Sequence, residues 1–247
     1  FDQLGNLTFV GFIALHDPLR REAKEAIEIC HQAGIRPIIV TGDHRLTAKA
    51  VAEELGFKVQ DKNILEGREL EKMSDEEFKK IFEAIQIYAR VEPLQKSRIV
   101  KAWQEKGEVV AMTGDGVNDA PALKQADIGV ALGSGTDVAK EVADFVLLTD
   151  NFSVIVAAIE EGRVIINNIR KTVAFLLSQC FSEIILIGAS VIGGLPLPIL
   201  PAQILWENLI EGNPQGIALA FEPKEERVMA RKPEDPKKPL LTIQMKT

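Results

Sequence analysis

Hydrophobic and charged residues are distributed unevenly along this chain of 247 residues. Charged residues are frequent up to Lys171, whereas the span 172–205 contains only one, Glu183. Two apolar stretches, at 172–193 and 199–221, each approach the ~20 residues that a membrane-spanning helix needs. The pattern therefore predicts a soluble domain followed by a pair of membrane helices.

The flanks of the two apolar stretches predict their orientation. A turn rich in glycine and proline at 193–198 separates them and carries no Lys or Arg. Basic residues flank the pair on both outer sides, at Arg163, Arg170, Lys171, Lys224, Arg227, Arg231, Lys232, Lys237 and Lys238. Because such residues mark cytoplasmic flanks, we expect a transmembrane helical hairpin and a multi-pass membrane protein with its soluble domain in the cytoplasm. A buried hairpin in a soluble protein is the alternative.

In the soluble part, two apolar runs at 35–40 and 109–112 predict buried strands, as does a shorter run at 9–15. The first two runs end in similar turns, Thr41-Gly42-Asp43 and Thr113-Gly114-Asp115. A helix is expected after the first turn. Since α/β folds bind ligands at the carboxyl ends of their strands, the pattern predicts one parallel sheet with both turns at a common crevice.

Oxygen and nitrogen ligands cluster in these turns. Asp115 lies between two glycines, and Asp119 follows one helical turn later with Asn118 beside it. Such oxygens suit Mg²⁺, which is usually held by one or two carboxylates with waters and phosphate. The Thr41 hydroxyl and the free N–H groups of its turn are good phosphate donors. Lys96 lies near a helix start and could reach a phosphate. For the two turns, the alternative is an ordinary polar turn without a ligand. For Lys96, it is a lysine solvated at the surface.

Together these motifs resemble the phosphorylation domain of cation-transporting P-type ATPases of the calcium type, within the haloacid dehalogenase superfamily. The resemblance covers nearly the whole chain, through Thr41-Gly42-Asp43, Arg90-Val91-Glu92-Pro93, Lys96-Ser97, the string 113–119, and the segments 120–123, 126–131, 135–140 and 143–144. It implies a Rossmann-like fold with a parallel sheet, ATP and Mg²⁺ as cofactors, and a cation as the transported partner.

The resemblance also implies roles for the matching residues. Asp115 would bind Mg²⁺ directly, and Asp119 would support that site without binding the ion itself. The residues expected to act in phosphoryl transfer are Thr41, Gly42, Asp43, Lys96, Asn118 and Asp119, and those expected near the nucleotide are Arg90, Thr41, Gly42 and Asp43. Thr41 and Gly42 would bind the phosphoryl oxygens while Lys96 stabilises their charge.

One feature departs from the family. Its nucleophile is an Asp in an Asp-Lys-Thr-Gly sequence, and no such sequence occurs here. The early candidates Asp2 and Asp17 do not fit. Covalent catalysis needs an activated nucleophile, so we expect the chain to be the C-terminal part of a longer pump and unable to hydrolyse ATP alone.

Polar residues inside the apolar stretches predict an ion site. Glu183 lies within the first stretch, and Asn208 and Glu211, three residues apart, are expected to share a face of the second. Gly212 and Pro214 predict a break in that helix, which would free backbone carbonyls beside the acids. The alternative is that the acids snorkel or pair with absent helices.

The hairpin resembles the fifth and sixth membrane helices of calcium-type pumps. Glu183 matches a glutamate ligand of the family, whereas Cys180 stands where an Asn is usual. Glu211 takes the place of a Thr, and Gly212 replaces an Asp ligand. The transported ion could therefore be Ca²⁺, another cation or protons, and the sulfur of Cys180 would favour a softer metal.

The expected organisation is a phosphorylation domain over 1–165, a hairpin with the cation site over 166–222, and a cytoplasmic loop or ragged end over 223–247. A net charge of −7 argues against binding to nucleic acid. The chain lacks the Asp-x-Asp motif of a soluble phosphatase of the same superfamily. A non-catalytic membrane subunit, or a fragment that binds Mg²⁺ or nucleotide, stays open as the alternative.

Overall fold

The computed structural model describes residues 8, 10, 11, 18–235 and 238–240, apart from the side chain of Glu211. Asp2 and Asp17, and the strand expected at 9–15 except for its residues 10 and 11, lie outside the described residues.

The soluble part is a parallel α/β structure with two three-stranded sheets. Their strand orders are β1-β3-β2 and β4-β5-β6, and every pairing is parallel. The strands are β1 (Ile39–Val40), β2 (Ile64–Glu66), β3 (Ile87–Ala89), β4 (Ala111–Gly114), β5 (Ile128–Leu132) and β6 (Phe145–Leu147). The helices are α1 (Ala23–Gln32), α2 (Arg45–Glu54), α3 (Gly67–Lys72), α4 (Asp75–Ile81), α5 (Pro93–Glu105), α6 (Ala120–Gln125) and α7 (Asp137–Val142).

The core lies around the central strand β3. Tyr88 is fully buried and packs with Phe78, Phe82 and Trp103 in one hydrophobic cluster. The rings of Phe82 and Trp103 meet edge to face, with their centroids 4.9 Å apart. Such aromatic contacts add to the stabilisation that burial provides, and they fix α5 against the sheet.

The sheet differs from the sequence-based expectation in two ways. In the described part of the chain no ladder joins β1 to β4, so the strands form two sheets instead of one. The strand expected at 109–112 is found at 111–114. At its start, the Val110 N–H donates to the carboxylate of Asp127 at 2.8 Å instead of to a backbone carbonyl, and at its end Thr113 and Gly114 pair with Val130 and Ala131 of β5.

The apolar part begins with one very long helix, α8 (Ser153–Ile192), of 40 residues. At 1.5 Å per residue it is about 60 Å long. Among the described residues it is the one helix that is long and apolar enough, by length and composition, to cross a membrane. The helix continues without interruption from the soluble domain into the first apolar stretch.

The second apolar stretch is helical but irregular. Helix α9 (Pro201–Glu207) continues through a π-helical turn at Asn208–Gly212 into α10 (Asn213–Ala220). The expected break is therefore a widened turn and not an interruption of the helix, and Pro214 follows it directly in the first turn of α10. A π-turn is closed by i→i+5 bonds, so positions 208 and 211 do not have the backbone spacing that places residues on one face of an α-helix.

Residues 220–231 tie the end of α10 back to the base of α8. The guanidinium of Arg163 donates to the carbonyls of Val228, Arg231 and Ala33 at 3.1, 2.8 and 2.8 Å. The buried amide of Asn168 donates to the carbonyls of Ala220 and Glu222 at 3.2 and 2.8 Å. We call these contacts the junction, because they join α1, α8 and the segment after α10.

Candidate functional site

The carboxyl ends of β1 and β4 open into a common cavity of about 460 Å³. The turn at 41–42 lines one part of it and the turn at 113–115 another, and Lys96 reaches it from the first turns of α5. The crevice expected from the sequence is therefore present, although the strands that form it belong to two sheets.

Lys96 and Asp119 form a nearly buried ion pair in this cavity. The Lys96 Nζ lies 2.6 Å from Asp119 Oδ1, and the two side chains are 13% and 10% exposed. Lys96 is thus not the solvated surface lysine that the sequence left open. The contact fixes the ammonium group at the cavity wall.

Asp119 also organises the turn that precedes it. Its Oδ2 accepts hydrogen bonds from the N–H groups of Asp115 and Gly116, at 3.2 and 3.1 Å. Burial acts to raise the pKa of Asp119, but the Lys96 hydrogen bond and these N–H donors outweigh it and hold that pKa below its usual range. A Cβ on Gly114 would lie only 2.4 Å from that of Asp119, so glycine is needed there.

Asp115 is different, because its side chain is exposed and has no hydrogen bond or ion pair among the described residues. The same part of the chain has no group of three or more His, Cys, Asp and Glu residues that could hold a metal. One free carboxylate at the rim of an open cavity fits Mg²⁺, which needs few protein ligands and retains waters. It does not fit a metal that requires a closed protein cage.

The turn after β1 is held by its own side chains. The Thr41 hydroxyl donates to the carboxylate of Asp43 at 3.0 Å and accepts from the Asp43 N–H at 3.1 Å. A Cβ on Gly42 would meet nothing within 4 Å, so packing within the chain does not require glycine there. The open space beside Gly42 leaves room for a ligand to approach the backbone.

Three of the expected residues stand apart from the cavity wall. Asp43, Arg90 and Asn118 are exposed and are not among the residues that line it. Arg90 has a left-handed backbone, with φ of 49°, and its N–H donates to the Asp43 carbonyl at 2.9 Å. Arg90 and Asp43 are therefore neighbours at the rim.

Sequence reasoning missed two charged residues of the cavity. Arg20 and Asp150 both line it, and their side chains approach to 3.8 Å. Asp150 falls in a short polar segment between β6 and α8 that carries no motif by itself. Its left-handed backbone, with φ of 52°, is visible only in the structure.

The expected ion ligands are less well assembled. The Glu183 Oε1 atom is buried and has no hydrogen-bond partner among the described residues. Cys180 and Asn208 are exposed, and the side chain of Glu211 lies outside the description. Gln179, which the sequence did not single out, approaches the π-turn, with its Oε1 3.0 Å from where a Cβ of Gly212 would lie.

Comparison with known proteins gives two family matches. Residues 2–127 match the model of the haloacid dehalogenase-like hydrolases. Residues 196–247 match the model described as the C-terminus of cation-transporting ATPases. The first match covers the α/β part up to the start of β5, and the second covers the second apolar stretch and the residues after it.

Individual relatives agree with these matches. The chain is 48% identical over 233 residues to a calcium-transporting ATPase of Bacillus subtilis, covering 94% of the chain and 26% of that protein. It is 47% identical over 243 residues to a probable cation-transporting ATPase F of Mycobacterium tuberculosis, covering 96% and 27%. The chain thus spans about a quarter of the length of these relatives.

Among solved structures, a zinc-transporting PIB-type ATPase in its E2.Pi state resembles the chain with a TM-score of 0.60 and 28% identity. The similarity covers 83% of this chain and 27% of that protein. It extends over more of the chain than either family match alone.

Proposed function

Because the chain belongs to the haloacid dehalogenase-like hydrolase family, and to the P-type ATPases within it, we propose that it supplies the phosphoryl-handling cleft and a membrane hairpin of an ATP-driven cation pump. The observation that carries this proposal is the cavity in which the Thr41 turn, the Lys96–Asp119 pair and the free Asp115 carboxylate converge. An anionic group entering this cavity would meet a fixed cation and hydrogen-bond donors.

Each residue has a distinct task in this proposal. Asp115 would hold Mg²⁺, which when bound neutralises charge on the phosphoryl oxygens. Asp119 keeps Lys96 at the wall and fixes the backbone that carries Asp115. Thr41 and Gly42 would bind phosphoryl oxygens, and Lys96 would stabilise their charge without having to reorganise. The exposed residues Asp43, Arg90 and Asn118 would contact the nucleotide or complete the site.

We assign the phosphorylation domain to 1–165, the hairpin to 166–222 and a cytoplasmic segment to 223–247. The unbroken α8 and the junction support a mechanical connection between the cleft and Glu183, because a rigid helix transmits domain motion. Glu183, Asn208 and Glu211 are the proposed ion ligands, with Cys180 as a weaker candidate. The buried Glu183 Oε1, which has no hydrogen-bond partner among the described residues, supports this choice for Glu183.

A chimera tests the proposal directly. The matching 233-residue segment of the Bacillus subtilis calcium-transporting ATPase would be replaced by this chain. The measurement is Mg²⁺-dependent transfer of ³²P from ATP to the protein, followed by ATP-driven Ca²⁺ uptake into vesicles. We expect phosphorylation in the chimera and its loss on Asp115→Asn. The carboxylate-to-amide control Asp127→Asn, which lies at the other end of β4, should retain it.

The remaining outcomes discriminate the parts of the proposal. Phosphorylation that no longer depends on Ca²⁺ after Glu183→Gln would support an ion-binding role, whereas an unchanged Ca²⁺ dependence would remove Glu183 from the site. A folded chimera that is never phosphorylated would favour a non-catalytic subunit. The chain alone should not hydrolyse ATP, and sustained hydrolysis that Asp115→Asn abolishes would contradict that expectation.

A further inference from the structure

Asp150 has an unusual backbone and an ordered side chain at the edge of the cavity. It follows β6, and its φ of 52° lies in the left-handed region that residues other than glycine rarely adopt. Its side chain is only 14% exposed. Residues in such conformations persist where surrounding contacts impose them, often near functional sites.

The contacts of Asp150 are with the loop that follows β5. Its Oδ1 accepts from the Ser134 N–H at 3.0 Å. Hydrogen bonding to Ser134 outweighs burial and holds the pKa of Asp150 below its usual range, and the nearby Gly133 N–H and the Arg20 guanidinium lower it further. The carboxylate thus holds the loop 133–136 through Ser134.

The other side of this loop rests on Asp115. The Thr136 N–H donates to the Asp115 carbonyl at 2.7 Å. A Cβ on Gly135 would lie 2.8 Å from the same carbonyl oxygen, and one on Gly133 would lie 2.7 Å from the Leu147 carbonyl. The loop is therefore wedged between the turn that carries Asp115 and the end of β6, with no room to shift toward either.

We infer that Asp150 is a positioning residue that holds the Asp115 carboxylate in place for Mg²⁺ through the loop 133–136. The inference rests on the proposed function, because it assumes that Asp115 binds the ion. Supporting groups behind a metal ligand commonly change metal affinity by 10- to 100-fold when they are lost. The hydrogen bond that the Ser134 N–H donates to Asp150 carries this effect, because it joins Asp150 to the loop, whereas the Arg20 guanidinium, 3.8 Å from Asp150, lies outside the loop.

The test is Mn²⁺ binding to the detergent-solubilised chain, measured by the loss of the free-ion signal in electron paramagnetic resonance. Asp150→Gly accommodates the left-handed backbone but removes the acceptor, whereas Asp150→Asn tolerates that backbone and keeps an acceptor oxygen. We expect Asp150→Gly to weaken Mn²⁺ binding about tenfold. Asp150→Asn should retain nearly all of the wild-type affinity. Asp115→Asn reports on the ion site itself.

Asp144→Ala is the matched control. The Asp144 carboxylate accepts from the Gly129 N–H at 2.7 Å, which is an equivalent contact at the opposite end of β5. Asp144→Ala should reduce thermal stability without changing Mn²⁺ affinity. Wild-type affinity in Asp150→Gly, or an equal loss in Asp144→Ala, would overturn the inference while Asp115→Asn still supports the ion site. A wild-type chain that binds no Mn²⁺, or an Asp115→Asn chain that binds it normally, would overturn the proposed Mg²⁺ site and this inference with it.

Discussion

The cleft and the helical hairpin are stabilised in different ways. Around the cleft, side chains are fixed by short polar contacts and by buried clusters on both sides of the sheets. In the hairpin, only 6% of the apolar window of α8 is buried, and large apolar residues such as Phe181, Ile185 and Trp206 are 60–68% exposed. The cleft is held by contacts within the chain, whereas much of the apolar surface of the hairpin stays exposed among the described residues.

The junction shows how the two regions meet. Its contacts are mostly between charged or amide side chains and backbone carbonyls, as for Arg163 and Asn168. Lys171 adds ion pairs to Glu222 and Glu225, both at 2.8 Å. Such directional contacts fix the geometry of the junction more than they bury apolar area.

The largest effect should come from breaking the buried ion pair. Lys96→Met leaves the Asp119 carboxylate without its cation in a site that is only 10% exposed, and we expect a loss of about 3 kcal/mol in the free energy of unfolding. Unfolding is followed by the fluorescence of buried Trp103. Because the chain has two tryptophans, the measurement is made in a Trp206→Phe background. Lys49→Met is the control, since the Lys49–Asp61 pair is exposed and screened by solvent, so its loss should change stability little. Equal losses of stability in Lys96→Met and Lys49→Met would show that burial does not make the Lys96–Asp119 pair more important for stability than an exposed pair.

A methyl group on Gly114 is the next test of how tightly the cleft is packed. The added Cβ would lie 2.4 Å from the Cβ of Asp119, so Gly114→Ala should cost about 1–3 kcal/mol through forced displacement. Gly42→Ala, in the matching turn of β1, should change stability little because its Cβ meets nothing within 4 Å. Urea unfolding followed by Trp103 fluorescence compares the two. A tolerated Gly114→Ala would mean that the turn relaxes freely.

The sequence predicted the cleft better than the hairpin for a physical reason. The turn that carries Asp115 is formed by residues 113–119, which are adjacent in the sequence. Its conformation can therefore be predicted from local spacing. Lys96 and Asp119 are 23 residues apart, and the resemblance predicted their common location but not their ion pair. The role of Asp150 depends on a backbone conformation and a loop contact that no local pattern encodes.

In the apolar part, the sequence predicted the span but not its internal geometry. Proline and glycine in the segment 208–214 indicated an irregularity, yet their effect depends on which turn each residue enters. The structure places Pro214 in a first turn and forms a π-turn before it. The side-chain arrangement of the ion ligands depends on packing between helices, and the sites at Glu183, Asn208 and Glu211 stay predictions.

An intermediate loss of stability is expected when the junction is weakened. Asn168 is 5% exposed and donates to two carbonyls at the end of α10, so Asn168→Ala leaves acceptors unsatisfied and should cost about 1–2 kcal/mol locally. Hydrogen exchange of amides 216–222 measures the opening of this segment, with faster exchange expected while the cleft stays protected. Asn167→Ala, at the adjacent half-buried position, is the control. Faster exchange throughout the α/β domain would instead mean that the junction supports the whole fold.

The smallest effect, with the opposite sign, is expected inside the hairpin. Gly188 lies within α8, and a Cβ there would meet nothing within 4 Å among the described residues. Glycine weakens a helix interior by about 0.5–1 kcal/mol relative to alanine, so Gly188→Ala should raise the thermal midpoint of helix loss, followed by far-ultraviolet circular dichroism in detergent. The same chemical change would then destabilise the cleft at Gly114 and stabilise the hairpin. A clear destabilisation by Gly188→Ala would show that this face of α8 is packed against another surface, and the hairpin would be as closely constrained there as the cleft.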